Sequence, residues 1–141
     1  MKEKLELLRK IPFFSCFPDE ASLASFVSDG QWSKVGSGGL VYRVGDAATK
    51  RYVVLSGKIR ITRNTSSLTT LGPGDVFGEV GPLLDIARTV TAVSLGDSIL
   101  FEFDQVALDR VPIEIRYEIL KFLYTVTTKR LVETTRKITI T

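Results

Sequence analysis

The sequence predicts a mostly β fold, a sandwich or jelly roll, with short helices in front of it and a long helix behind. Three observations point there. Between Gln31 and Phe103 turn residues recur about every 8 to 12 positions, with β-branched residues filling the gaps. Lys58-Ile59-Arg60-Ile61-Thr62 alternates strictly, which sets Ile59 and Ile61 toward a core and Lys58, Arg60 and Thr62 toward water. From Asp104 onward the apolar spacing becomes helical.

In chain order, Leu5, Leu7 and Leu8 sit among charges from Lys2 to Lys10, a short amphipathic helix that Ile11-Pro12 stops. Pro18-Asp19-Glu20 places a proline and two acids at the first turn of a second helix, where the helix dipole favours negative charge. Leu23, Phe26 and Val27 form its buried stripe, and Gly30 ends it. The strands expected are Leu40–Val44, Arg51–Leu55, Lys58–Arg63, Ser67–Leu71, a run ending at Phe77, Thr89–Leu95 and Ser98–Phe103. Asp104 can cap a helix over Gln105–Arg110, and Pro112 suits the first turn of a longer one running to about Ile138. That helix has two apolar stripes: Ile119, Leu123 and Val126 on one side, and Tyr117, Leu120, Tyr124, Thr127, Leu131, Thr134 and Ile138 at heptad spacing on another. Two faces need two covers. Either both close on the chain's own β-layer, or one meets a symmetric partner helix in a homodimer.

The composition bounds the chemistry. A chain of 141 residues, 44% hydrophobic and 25% charged, fits one globular domain, with helices over 1–30, a β-region over 31–103 and helices over 104–141. It contains no histidine, which excludes histidine triads, histidine-bound haem, cupin-type metal centres and the commoner zinc sites. Its single cysteine, Cys16, allows no intramolecular disulfide and no thiolate metal site, and it reads as a small apolar filler in a reducing compartment. The 19 basic residues are scattered against 16 acidic ones, so no nucleic-acid-binding arm is expected. No apolar run approaches the roughly 18 residues of a membrane span, and no secretory signal opens the chain, so a cytoplasmic location is expected.

The informative segment is Gly72-Pro-Gly-Asp-Val-Phe-Gly-Glu-Val-Gly-Pro-Leu-Leu-Asp-Ile-Ala-Arg-Thr-Val-Thr-Ala92. A strand ends at Phe77, two glycines permit close backbone approach, and Pro82 starts a helical turn whose free amides point back over Gly78, Glu79, Val80 and Gly81. Arg88 can return a guanidinium to that place and make charge-assisted bonds to a phosphate. Glu79 cannot bind phosphate, so it accepts from hydroxyls or pairs with Arg88. A ribose hydroxyl together with a phosphate describes a nucleotide. On spacing alone, an ion pair between Glu79 and Arg88 that merely closes the loop fits as well. No Gly-Lys-Ser/Thr follows, which excludes a Walker A loop, and no βαβ unit surrounds the glycines, which excludes a dinucleotide fingerprint.

These residues resemble the cyclic-nucleotide-binding domain family, of the catabolite-activator and kinase-regulatory-subunit type. Leu7-Leu-Arg-Lys-Ile-Pro-Phe-Phe-Ser resembles the family's leading helix. Tyr42-Arg-Val-Gly-Asp and Tyr52-Val-Val-Leu-Ser-Gly-Lys-Ile-Arg-Ile resemble its central strands, and Phe77-Gly-Glu-Val-Gly with Arg88-Thr89 resembles its phosphate-binding cassette, here 77–92. Eight residues separate Glu79 from Arg88, the spacing of kinase regulatory subunits. The resemblance implies an eight-stranded β-roll (jelly roll, double-stranded β-helix). In it Glu79 accepts the ribose 2′-hydroxyl, Arg88 pairs with the cyclic phosphate, and Gly81 and Thr89 add backbone amides. The cassette positions Gly78, Val80 and Val90 complete the ligand-binding set. Thr89 leaves cyclic AMP and cyclic GMP both open. Lys129-Arg-Leu-Val-Glu-Thr-Thr-Arg-Lys-Ile resembles the long helix of catabolite activators, which places Thr134 and Thr135 where that type meets the purine across a dimer. A solvated threonine pair is the alternative.

Two positions depart from the family pattern. Val90 replaces a small alanine, and Pro82 removes one amide. The function expected is a non-enzymatic sensor of cyclic AMP or cyclic GMP, without a cofactor or metal, that relays binding through the C-terminal helix. The alternative is a degenerate member that binds no nucleotide and serves as a dimerisation or interaction module. The chain stops after the long helix, so the expectation is a free-standing receptor or the N-terminal sensor of a larger regulator, with no direct nucleic-acid contact by this domain.

Overall fold

A computed structural model describes residues 2–139. Helix α1 (Lys2–Leu8) buries Leu5 and Leu8 and leaves Leu7 exposed. A 3-10 helix, Pro12–Cys16, follows where the sequence suggested only a stop. Helix α2 (Glu20–Asp29) starts one residue after its cap: the Asp19 carboxylate accepts from the Ser22 amide at 2.7 Å, so Pro18 precedes the helix rather than opening it. Leu23, Phe26 and Val27 are its buried residues.

The strands are β1 (Gln31–Val35), β2 (Leu40–Tyr42), β3 (Lys50–Ser56), β4 (Ile59–Arg63), β5 (Ser66–Leu71), β6 (Val76–Phe77), β7 (Thr91–Ser94) and β8 (Ser98–Asp104). They form two four-stranded antiparallel sheets, ordered β1-β8-β3-β6 and β2-β7-β4-β5, the eight-stranded roll that the resemblance implies. Strand β7 begins at Thr91, two residues later than expected, because Thr89 and Val90 sit in a bend. Ile59 and Ile61 are buried and Lys58 and Arg60 exposed, as the alternation requires.

Alternation along β3 divides the interior. Tyr52 and Val54 face the roll, with Tyr42, Ile59, Leu71, Phe77 and Leu100. Val53 faces the helices, where Phe13, Phe14, Phe26, Phe101 and Phe103 pack edge-on and stacked. Cys16 is half-buried beside this layer, and burial raises its thiol's pKa. Arg51, two residues before Val53, therefore lies on the helix-facing side of a strand covered on both faces.

After β8, Asp104 caps helix α4 (Gln105–Asp109) by accepting from the Ala107 amide at 2.9 Å. Helix α5 (Ile113–Thr139) begins just past Pro112 and lays Ile115, Ile119 and Leu123 on the helical core. Of its other stripe Thr127 is half-buried, whereas Tyr117, Leu120, Tyr124 and Leu131 are exposed, so the two apolar faces do not both close on the chain's own β-layer. The Ile138 side chain of that stripe lies outside the described residues. No described helix is long and apolar enough to cross a membrane.

Candidate functional site

The segment after β6 is shaped by two glycines. Gly78 adopts φ +80°, a left-handed conformation costly for other residues, and a Cβ there would stand 3.0 Å from Tyr52 and 3.1 Å from the Arg88 guanidinium. Gly81 passes so close to Ala48 that an added Cβ would lie 2.3 Å from its methyl carbon. Between them begins a short helix, α3 (Val80–Leu84), two residues ahead of the expected start at Pro82. The proline is its third residue, still within the turn whose amides have no intrahelical acceptor, so the ring disturbs nothing there. The amides of Val80 and Gly81 remain at the open end.

Arg88 is held from behind by the turn that ends the Tyr42-Arg-Val-Gly-Asp run. The Arg88 amide donates to the Asp46 carbonyl at 2.9 Å, and the Gly45 amide donates to the Arg88 carbonyl at 2.8 Å. The guanidinium points inward, where Nη1 donates to the Gly78 carbonyl at 2.7 Å and Nη2 to the Lys50 carbonyl at 2.6 Å. It also lies over the Tyr42 ring, 4.1 Å from the centroid. Arg88 is only 6% exposed, its Nε has no acceptor, and no carboxylate among the described residues reaches ion-pair distance. A buried cation held by neutral carbonyls and tyrosine side chains, without a carboxylate, is costly and favours an anion at its open side. Burial pushes the Tyr42 phenol up to about 12, with Arg88 opposing the shift.

Glu79 does not pair with Arg88, which removes the loop-closing ion pair. Its carboxylate turns to α5: Oε1 accepts from the Thr127 hydroxyl at 2.8 Å and lies 3.5 Å from Arg130 Nη1. Arg130 Nη2 also donates to the Val76 carbonyl in a short bond. Both helix contacts fall on one oxygen, so Oε2 takes no hydrogen bond from the described residues.

That cavity, about 340 Å³, is where the segments converge. Its polar end is made by Gly78, Glu79, Val80, Gly81 and Arg88, with Thr89 and Val90 at the following bend. Its apolar walls are Tyr42, Ile61, Leu71 and Phe77. Helix α5 closes it with Thr127, Arg130 and Thr134. Thr134 donates to the Arg130 carbonyl at 2.9 Å and borders the cavity. Thr135 donates to the Leu131 carbonyl at 2.9 Å and is not part of the lining. Val90 is half-buried and packs against the interior of the roll, and Thr89 is exposed. The sequence reading missed Arg130 and took Thr127 for part of an apolar seam. Their spacing with Thr134, at i, i+3 and i+7, puts all three on one helix face and was the available signal.

A comparison with protein families finds that the cyclic nucleotide-binding domain model matches residues 33–112. The chain belongs to this family. Among curated relatives, this cyclic nucleotide-binding domain is 34% identical over 106 residues to the cyclic AMP receptor protein of Thermus thermophilus, covering 70% of this chain and 48% of the relative. It is 31% identical over 77 residues to the cAMP-dependent protein kinase regulatory subunit of Eremothecium gossypii, covering 55% of this chain and 17% of that one. It spans half or less of the length of either relative. Among solved structures, the Thermus thermophilus catabolite activator protein superposes with a TM-score of 0.78 at 25% identity, over 92% of this domain and 62% of that chain.

Proposed function

We propose that this domain is a non-enzymatic, cytoplasmic sensor that binds a cyclic nucleotide in the roll, with cyclic AMP the first candidate and cyclic GMP the second. The observation that carries this reading is Arg88: a buried guanidinium without a carboxylate partner, lining the same cavity as Glu79, whose Oε2 takes no hydrogen bond from the described residues. A cyclic phosphate carries the single negative charge that Arg88 needs, and a ribose hydroxyl supplies the donor that Oε2 can accept. The relatives named for cyclic AMP favour adenine. In this reading Gly78, Val80, Gly81, Thr89 and Val90 shape the phosphate end, and Thr134 approaches the base. Helix α5 feels the ligand through Thr127 and Arg130, which makes the domain suited to be the N-terminal sensor of a larger regulator.

The exposed stripe of Tyr117, Leu120, Tyr124 and Leu131 favours a homodimer through α5, with Thr135 facing a second copy. The alternative role, an interaction module without ligand, would use this face alone.

Thermal unfolding of the nucleotide-free domain separates the two. At ligand one hundred times the Kd, binding adds about 2.7 kcal/mol. With an unfolding entropy of about 0.3 kcal/mol/K for a chain of this length, the shift is about 9 °C. A shift with cyclic AMP or cyclic GMP that is absent with 5′-AMP and lost in Arg88→Leu supports the sensor. No shift with either cyclic nucleotide at millimolar concentration assigns the interaction role.

A further inference from the structure

The sheet β1-β8-β3-β6 has one end that the phenylalanine layer does not reach. Val35 packs into the roll, so Lys34 and Trp32, one and three residues before it, face the helix side. There Trp32 stands opposite Phe101, and Lys34 opposite Ile99. Between this end of the sheet and α1 lies a cavity of about 720 Å³. Leu7, Leu8 and Ile11, from α1 and the turn after it, line one side, and Leu55 of β3 and Ile99 of β8 line the other. Lys4, Leu7 or Leu8, and Ile11 recur every three to four residues, so one face of the helical segment is turned to the cavity.

The charges at this cavity are of one sign. Lys4 and Lys34 line it and no acidic residue does, since Glu3 and Glu6 of α1 are not part of the lining. Neither lysine pairs with a carboxylate among the described residues. Lys4 Nζ stands 5.5 Å from the centroid of the Trp32 ring, which brings it to the strand that carries Lys34. Both lysines are exposed, so an anion in solution can reach them. Apolar surface lies open beside them: Leu7 is 63% exposed and Trp32 44%. The volume is well inside the roughly 300–1,000 Å³ range of small-molecule pockets. Its few lining residues fall far short of the roughly 20–30 a side of a stable protein interface, which favours a small ligand over a protein.

We infer that this cavity is a binding site for a small amphiphilic carboxylate, whose anionic head pairs with Lys4 and Lys34 at the β1 edge while its apolar tail lies across Leu7, Ile11, Leu55 and Ile99. The complementarity is of both kinds. A neutral tail answers the apolar walls alone, a small anion answers the two ammoniums alone, and a molecule with both answers the whole cavity. Because the cations are exposed, the charge contribution is modest and is screened by salt. No residue of this site belongs to the Arg88 cavity or to the exposed face of α5, so it stands whether or not the roll binds a nucleotide or α5 meets a second copy.

Trp32 is the chain's one tryptophan, so its fluorescence reads this site directly. The test titrates the whole domain with sodium decanoate below its micellar concentration, beside decyltrimethylammonium, which has a similar tail and the opposite charge, and sodium butyrate, which has the head without the tail. Decanoate should shift the Trp32 emission to the blue and saturate at one site per chain by calorimetry, with the other two at least fivefold weaker. Lys4→Glu combined with Lys34→Glu, at two exposed positions, should reverse the preference between decanoate and the decyl cation. Leu7→Asn, which keeps both lysines, should weaken decanoate at least threefold. Equal binding of anion and cation by the unaltered domain would overturn the proposal, as would an unchanged preference in the charge-reversed variant. Loss of the decanoate response in Arg88→Leu would overturn it by placing the ligand in the Arg88 cavity. So would a Trp32 emission that ignores decanoate and moves with protein concentration, which would give this face to a second copy.

Discussion

Replacing Thr127 by valine removes one hydroxyl and isolates the grip of α5 on Glu79. The carboxylate is 5% exposed, and its Oε1 receives a 2.8 Å bond from Thr127 and a longer contact from Arg130 at 3.5 Å. Loss of a hydrogen bond to a charged acceptor costs roughly 1.5–3 kcal/mol. Exchanging the hydroxyl for a methyl at a half-buried position returns less than about 0.8 kcal/mol. The net destabilisation expected is about 1–2 kcal/mol, a fall in Tm of roughly 3–7 °C for a chain of this length. Denaturant unfolding in a double-mutant cycle with Glu79→Leu reads the pair directly. In the leucine background there is no carboxylate to satisfy, so Thr127→Val should cost nothing. A cost equal in both backgrounds within about 0.5 kcal/mol refutes the coupling. The ligand arm carries a sign as well. Thr127 and Arg130 share Oε1 and leave Oε2 without a hydrogen bond from the described residues, so in the proposed sensor they hold the carboxylate with one oxygen free for a second donor. Thr127→Val should therefore weaken cyclic-nucleotide affinity several-fold, and a gain would mean that helix and ligand compete.

Two further expectations concern the cavity walls. Tyr42 ionises at about 12 in the folded chain against about 10 unfolded, so the folded state keeps its proton longer. Stability from this group is complete below about pH 10 and is lost as pH rises toward about 12, by roughly 2–3 kcal/mol. Alkaline unfolding of Tyr42→Phe should lack that component, and identical pH profiles would show that the phenol is not confined. Gly78→Ala forces a side chain into φ +80° and a Cβ to 3.0 Å from Tyr52 and 3.1 Å from Arg88. The strain is about 1–2 kcal/mol, and a denaturation midpoint equal to that of the parent would contradict the geometry.

The helix ends and the roll were legible because they rest on local rules. Asp104 lies one helical turn before the amide it caps, and Ile59 and Ile61 alternate in a strand with one wet face, whereas Asp19, read as a first-turn acid, is the cap of its helix. The 3-10 helix was not legible: five residues are too few for a period to show, although Phe13 and Phe14 within it are fully buried. Helix α3 was placed two residues late because proline favours a first helical position and is tolerated anywhere in the first turn. Gly78, Glu79 and Arg88 were found through their spacing, but the partner of Glu79 was not. Arg130 lies 51 residues away on a helix where a charge ordinarily reads as solvated. Arg51 was hidden for a similar reason. A strand buried on both faces loses the alternation that would mark one arginine as inward.

The meeting of Thr127 and Arg130 with Glu79 falls near the middle of α5, and this position fixes a mechanical ratio. From Thr127 to the last described turn at Thr139 the helix runs about 18 Å. Pivoted at the carboxylate, a tilt of about 10° displaces the far end by about 3 Å while the Thr127 hydroxyl hardly moves. A tilt about that carboxylate would be read out at the far end in proportion to its angle and to the arm of about 18 Å, with the buried oxygen as the fixed point of the rotation.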